Sequence, residues 1–543
     1  MVVALFAAGC GFRGESVDLI VHNARVVTLD PMGTVGQAVA VREGRVVEVG
    51  AERAILNKYR AGEVVDAAQA TVYPGWMDAH AHLVGYAKGL GELDLVGTGS
   101  WAEVVARVEE GANERSEGWV VGRGWDQNDW EQTDYPTREL LDAAFPGRAV
   151  VLQRVDGHAL VANGVALRAA GIDGGSVFDG GEVVRDAAGE ATGVLVDAAA
   201  EALLAVVPEP DSLAKVELIK RAEERLVAAG LTTVVDAGLP VEDILLLDAM
   251  QRAGDLKLRV VAMAADEPQT WDWFAAHEPL VTDRLVARSV KFYLDGALGS
   301  RGAALNAPYA DRPDWKGLLL EDSAAFGERL DRCAELGLQA ATHCIGDRAM
   351  DLALNLYGQI LGGTNDRRWR IEHAQVLGRD NLPLMRACNV LPSVQPTHAT
   401  SDMYWAGQRL GRNRIRRAYA YKDLLETNGL IALGTDFPVE AIDPRATFYA
   451  ATARKDAEGT PVGGFQPEQG LTAEEALKGM TLWAAIVNFQ EESLGSIEPG
   501  KWADFTILDR DVLQVSPEQA RESAVLGTVV AGEWLYRTGK LAQ

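Results

Sequence analysis

The sequence predicts an α/β protein: a TIM-type (β/α)8 barrel, a composite β-sandwich formed from both termini, and an accessory subdomain inserted into the barrel. Three observations carry this. First, eight apolar, strand-like segments recur through the middle of the chain, at 72–80, 231–238, 256–265, 288–296, 338–344, 369–375, 390–396 and 430–436. Helical patterns lie between most of them. LAKVELIKRAEERLVAAG (213–230) and SAAFGERLDRCAELG (323–337) both end in Gly, a helix stop. Strand–helix units in series close into a barrel. Second, both ends of the chain read as short alternating strands with Gly-containing turns: VDLIVHNARVVTLD and AVAVREGRVVEVG near the start, ADFTILD (503–509) and GTVVAGEWLY (527–536) near the end. Neither end has enough strands for a stable sandwich, so the two are expected to combine. Third, the gap between the first two barrel segments is far too long for one helix and must hold an insertion.

The expected boundaries are 1–17 for an N-terminal segment, 18–72 with 460–543 for the β-sandwich, 73–83 with 213–459 for the barrel, and 84–212 for the insertion, which would sit over the barrel mouth. A chain of 543 residues needs more than one core. Its 48% apolar and 24% charged residues are ordinary for a globular protein.

The formal net charge is −26, from 78 acidic and 52 basic residues. Such a surface repels nucleic acid and anionic membranes, so neither is an expected partner. The plainest consequence of the charge is solubility. The four cysteines, Cys10, Cys333, Cys344 and Cys388, form no CxxC pair, which excludes a disulfide framework and a thiolate zinc site. No run of about 18 apolar residues exists, so no transmembrane helix is expected. The opening MVVALFAAGC admits two readings. Either it is a truncated lipoprotein signal with Cys10 as lipid anchor, and the protein is periplasmic or membrane-anchored, or it is a merely apolar start of a soluble cytoplasmic protein.

His80-Ala81-His82 is the first chemical signal. On a strand, residues i and i+2 face the same way, so two imidazoles converge at the C-terminal end of the first barrel strand, a natural start for a metal site. The plainer alternative is two histidines that lie close by accident. His343 (QAATHCIGD) and His373 (RIEHAQ) end the fifth and sixth strands. Each alone is more often a core or rim histidine, but four of the chain's eight histidines fall at strand ends on one face. Asp436, in LIALGTDFPVE, closes a run of uncharged residues, and a buried carboxylate needs a cation or a hydrogen-bond partner. The competing reading is a helix N-cap before the proline. Lys291, in SVKFYLDG, sits inside an apolar strand, where desolvation exposes the neutral amine. That amine can take up CO2 to give a carbamate. It can equally pair with Asp295 or with a substrate carboxylate.

The ordered set PGWMDAHAH, VKFYLDGALGSR, ATHCIGD, RIEHAQ and GTDFP resembles the amidohydrolase superfamily. More narrowly the chain is similar to amidohydrolase family 3, which includes N-substituted formamide deformylase-like enzymes. GRGWDQNDW, DGHALVAN and DAAGEATGVL in the insertion match that branch, as do DLIVHNARVVTLD and LGSIEPGKWADFTILD at the ends. The resemblance runs from about residue 18 to the end.

It implies two divalent ions, Zn2+ by expectation. His80, His82 and Asp436 would hold one, His343 and His373 the other, and Lys291, carboxylated by CO2, would bridge them. It also implies hydrolysis of a small amide, formamide or imide-like substrate at a non-peptide C–N bond, with Asp436 moving the proton. Hydrolysis of esters, lactones or phosphotriesters on the same fold, and deamination at a single metal, stay open as alternatives. A non-catalytic homologue does not fit six intact positions. His158, His398 and Trp125 are candidate substrate contacts, each equally suited to a structural role, and Arg301 either receives a substrate carbonyl or braces its loop. Together with Trp130, Tyr404 and Trp405 they would suit a bulky, partly apolar group. A homodimer is an open expectation.

Overall fold

The computed structural model describes residues 14–113, 118–155, 157, 159–178 and 181–541. They form two compact units, 85–221 and the remainder, each with its own cores. The expected N-terminal segment lies mostly outside the described residues, Cys10 included. Its last residues do not: the strand Glu15–His22 begins inside the 1–17 range and pairs in parallel with Tyr59–Asp66. Val17 is buried there, and the strand starts three residues before the expected boundary at 18.

The larger unit contains the barrel. Its eight strands are β1 (Trp76–Ala81), β2 (Leu231–Leu239), β3 (Arg259–Ala265), β4 (Leu285–Tyr293), β5 (Gln339–Cys344), β6 (Arg370–His373), β7 (Leu391–Val394) and β8 (Ala432–Leu433). All are parallel and stand in chain order. Every residue of β1, β6, β7 and β8 is buried, which is why these segments read as continuous apolar runs. The two helices singled out in the sequence end just before their glycines: Ser212–Ala228 before Gly230 and Ser323–Glu335 before Gly337, both glycines at positive φ. Ser323–Glu335 starts under the Asp322 side chain, which accepts from the Ala324 and Ala325 amides.

Closure between β8 and β1 is made beyond the end of the short β8. The Asp436 amide donates to His80 O at 2.7 Å, and the His82 amide donates to Phe437 O at 2.8 Å. Asp78, buried in β1, accepts from the Thr435 amide at 3.0 Å, from the Thr435 hydroxyl at 2.6 Å and from the His80 amide at 3.2 Å. Gly434 is required at this seam, because a Cβ there would lie 2.5 Å from the His80 nitrogen.

Two further sheets in the same unit join the termini. Glu15–His22, Ala38–Arg42, Arg45–Gly50 and Tyr59–Asp66 form one; Arg25–Val27, Val35–Gly36, Thr71–Pro74, Phe505–Leu508, Val525–Val530 and Glu533–Arg537 form the other. One core runs through both, from Leu19 and Val39 to Phe505 and Leu541. The C-terminal residues that enter this core begin at Ile497 and Ala503. The intervening helix Leu482–Val487 packs Ala484, Ala485 and Val487 against Met77, Ala79 and Leu391 of the barrel.

The unit 85–221 holds a six-stranded mixed sheet of Leu93–Asp94, Val120–Trp125, Val150–Arg154, Ala159–Ala162, Gly181–Arg185 and Ala191–Asp197. Apolar clusters pack against it, one around Val104, Trp125 and Leu152, the other around Val151, Leu167 and Leu203.

No helix among the described residues is long and apolar enough to cross a membrane.

The barrel is tied to the terminal β-domain by a buried ion pair. Arg259, at the start of β3, reaches Asp504 through Nε at 2.5 Å and Nη2 at 3.0 Å. Asp504 also accepts from the Ala531 amide at 2.7 Å, and Trp502 lies under the guanidinium. Breaking one partner strands the other charge in a dry interface. Asp504→Ala is expected to destabilise the fold by about 3–5 kcal/mol, read as a lower melting temperature, whereas Arg259→Met with Asp504→Leu recovers most of the loss. A single variant that melts like the wild type refutes this role.

Candidate metal centre

The six predicted ligands come from five strands and meet at the C-terminal end of the barrel. His80 ends the buried run of β1, and His82 follows it with its ring edge-on at 5.7 Å between centroids. Lys291 lies in β4 and places Nζ 3.3 Å from His80 Nε2. In the strand register His343 of β5 stands between Tyr293 of β4 and Glu372 of β6. The His373 ring lies 4.5 Å from the His343 ring and 4.8 Å from that of His80. Strict alternation would turn His373 away from Glu372's side. A φ of 71° at His373 and 43° at Ala374 breaks the alternation, and both side chains stay buried. Asp436 also sits at positive φ, 63°, three residues past β8.

His80, His373 and Asp436 offer ligand atoms that all lie within 4.8 Å of one another. The hydrogen bonds on the outer side of each ring decide which nitrogen is free. His82 Nδ1 faces Ala237 O at 2.9 Å, His80 Nδ1 faces Glu372 Oε2 at 2.5 Å, and His373 Nδ1 faces Gln395 Oε1 at 2.7 Å. These partners only accept, so Nδ1 carries the proton and the neutral rings keep their lone pairs on Nε2. Yet His82 Nε2 and His80 Nε2 stand 3.1 and 3.6 Å from Asp436 Oδ1, itself an acceptor. His343 Nε2 is buried without a hydrogen-bond partner. Lone pairs pointed at a carboxylate in a dry pocket repel unless a cation stands among them. This donor set fits a divalent metal ion.

The electrostatics favour the same forms. Burial and the nearby Lys291 charge push His80 down to about 4 and His343 to about 3. His373 falls well below the usual imidazole value through burial and its two neighbouring imidazoles. Burial opposes ionisation of Asp436, but the His82 contact and the surrounding imidazoles hold it well below the usual carboxylate range. His82 is the exception: its contact with Asp436 outweighs burial and raises it, favouring the protonated ring, whose proton a bound cation would displace. Burial brings Lys291 down to about 8. Neutral imidazoles at His80, His343 and His373, an ionised carboxylate and an amine poised to lose its proton are what a cation needs.

Lys291 does not pair with Asp295. That carboxylate is taken up by three amides, those of Ala304, Ile345 and Gly346, at 2.7–3.0 Å.

Of the further candidates, His398 lies by the site. Its Nε2 is 3.8 Å from Asp436 Oδ2 and its ring stacks over His373 at 6.1 Å. Arg301 is engaged with Asp311 at 3.2 and 2.8 Å, and Arg409 binds the same carboxylate, so it braces its loop. Trp125 is fully buried in the core of the 85–221 unit, its indole N–H donating to Leu152 O at 2.8 Å. His158 lies outside the described residues.

Sequence reasoning missed Glu372, Gln395, Asp236 and Tyr293. Asp236, buried and pushed up to about 7, accepts from the Val84 amide and so fixes the chain just past His82. Tyr293 lies under Lys291 Nζ at 4.5 Å and beside the His343 ring at 5.6 Å. Its signal was available, since it stands two residues from Lys291, the spacing that pairs His80 with His82.

The amidohydrolase family profile matches residues 63–536. YtcJ of Bacillus subtilis (strain 168) is 31% identical over 528 residues, covering 95% of this chain and 98% of that one. The N-substituted formamide deformylase of Arthrobacter pascens is 28% identical over 549 residues, covering 96% and 99%. The crystal structure of a metal-dependent hydrolase from Pyrococcus horikoshii OT3 superposes with a TM-score of 0.79 at 28% identity, covering 92% of this chain and 99% of that one. A profile match over most of the length, relatives similar from end to end and a ligand-like cluster at the barrel's C-terminal face agree: the chain belongs to the amidohydrolase family of metal-dependent hydrolases.

Proposed function

We propose that the protein hydrolyses a non-peptide C–N bond in a small amide, formamide or imide-like substrate, using two divalent ions, Zn2+ by preference, held by His80, His82, Lys291, His343, His373 and Asp436. The observation that carries this is the set of inward nitrogen lone pairs around Asp436, whose outer nitrogens are already engaged. The choice of a C–N bond rests on the formamide deformylase likeness along nearly the whole chain. Lys291 supports a two-ion site only as an anion. Its amine would add to CO2 and lose a proton to give a carbamate, the anion that would help hold the ions. Burial and the adjoining His80 nitrogen suit that group in place of a free ammonium.

Bound ions supply Lewis acidity, which polarises the substrate carbonyl and makes water acidic near neutral pH. The chain's own residues do the rest. His80 and His373 are fixed by Glu372 and Gln395 and leave Nε2 facing inward. Asp436 is ionised and faces that space. It takes the proton of the attacking water as the C–O bond forms, then gives it to the nitrogen as the C–N bond breaks. The products are a carboxylic acid and an amine. His398, beside Asp436 Oδ2, flanks this proton path.

Elemental analysis of active protein is expected to give two metal ions per chain, with activity lost on chelation and restored by Zn2+. Full activity in metal-free protein refutes the reading. Lys291→Ala is expected to remove the activity, with partial return on adding short carboxylic acids, and 13C-labelled CO2 should give a carbamate signal in wild-type protein and none in the variant. Asp436→Asn, compared at matched metal content, should lower kcat by about 100-fold or more with a smaller effect on KM. A panel of N-benzyl formamides, acylated amino acids, matched esters, dipeptides and a phosphotriester then tests the bond. Amides should exceed dipeptides and the phosphotriester; a phosphotriester or a deaminated heterocycle as best substrate by a wide margin places the chemistry elsewhere.

A further inference from the structure

His82 and His373 turn their outer nitrogens towards neutral acceptors, a backbone carbonyl and an amide side chain. His80 turns its own towards an anion. Glu372 Oε2 lies 2.5 Å from His80 Nδ1, and both side chains are completely buried. The glutamate is itself gripped from behind. Arg370 Nε lies 2.7 Å from Glu372 Oε1, and Arg370 Nη2 donates to Oε2 at 3.1 Å. The guanidinium is then locked by Ala79 O, Ser393 Oγ and Asn488 Oδ1 at 2.8, 2.8 and 2.9 Å. Arg370 and Glu372 stand two apart on β6, so both enter the barrel from the same side of the strand. The result is an unbroken line, Asn488–Arg370–Glu372–His80, from the helix Leu482–Val487 to the metal centre.

A buried ion pair is a poor source of stability, since desolvating two charges cancels most of their attraction. Its use here lies in what the carboxylate holds. An anion on Nδ1–H fixes the tautomer, stops the ring from turning and makes Nε2 a stronger electron donor, and in a dry interior this effect is not screened. We propose that Arg370 and Glu372 are a positioning pair for His80: Arg370 holds the Glu372 carboxylate in place, and Glu372 orients His80 and raises its affinity for a divalent cation. This rests on the reading of His80 as a ligand.

The test uses the full-length, metal-stripped protein and zinc alone, titrated in competition with a chromophoric chelator, so no substrate enters. Glu372→Gln should bind zinc roughly 10- to 100-fold more weakly than wild type. Because that change leaves Arg370 buried without its counter-charge, the double variant Arg370→Met, Glu372→Gln is made alongside; it lacks the same anion and should show the same loss. Either variant, folded and binding zinc as tightly as wild type, overturns the proposal. A second readout needs neither variant to fold. In zinc-free wild-type protein with 15N-labelled histidine, long-range 1H–15N correlation reports the tautomer of each of the eight rings, with His80→Ala for assignment. His80 should carry its proton on Nδ1; a proton on Nε2 overturns the proposal. The zinc affinity of His80→Ala separates the two layers of the argument. If it is lost while Glu372→Gln binds normally, the positioning role fails and the ligand assignment stands. If it is unchanged, both fall.

Discussion

Closing an eight-stranded parallel sheet requires its first and last strands to meet, and here β8 is only two residues long, too short to reach the catalytic end by its own ladder. Asp78 makes the join. Its carboxylate accepts two bonds from Thr435 and one from the His80 amide, inside a wall of buried residues. Burial pushes Asp78 up to about 7 even against these bonds. A group so costly to bury persists only where its partners compensate. The seam it closes carries His80, His82 and Asp436, so the spacing of these three side chains is set by the backbone of the closure.

The same device recurs around the rim. Asp236 holds the Val84 amide just past His82, and Asp295 gathers the amides of Ala304, Ile345 and Gly346 behind His343. Each carboxylate fastens a loop adjoining a ligand-bearing strand. Loops are ordinarily the mobile part of such a barrel, but these are fixed by buried acceptors as well as by the buried side chains of Leu83, Val84, Leu305 and Ile345.

The barrel was legible because its signal is repetitive: eight apolar segments, helical spacers and Gly stops. His80 and His82 were legible because alternation on a strand puts i and i+2 on one face. The same rule misjudges His373. Its positive φ turns the chain locally, and nothing in RIEHAQ announces that turn. Of the partners the sequence offered Lys291, Asp295 is the one removed, since that carboxylate accepts from three amides. Glu372 was hidden by adjacency, since a residue next to a histidine on an ideal strand belongs to the opposite face. The helix Leu482–Val487 carries no mark in its sequence of what it covers; its contact with Met77 and Leu391 places it against the barrel.

The ends of the chain, read as a domain apart, are joined to the barrel through charge. Arg259 starts β3, the third strand of the barrel, and its partner Asp504 sits one residue before the strand Phe505–Leu508 of the terminal sheet. The Gly75 amide donates to Asp504 O immediately before β1 begins. The N-terminal strands lead into β1 through Thr71–Pro74, which pairs with Phe505–Leu508. A displacement of Asp504 would therefore be felt at the start of both β1 and β3. Because β1 runs six residues from that anchored start to the histidines, the terminal β-domain sets the height at which His80 enters the site. The composite domain thereby belongs to the framework of the candidate site.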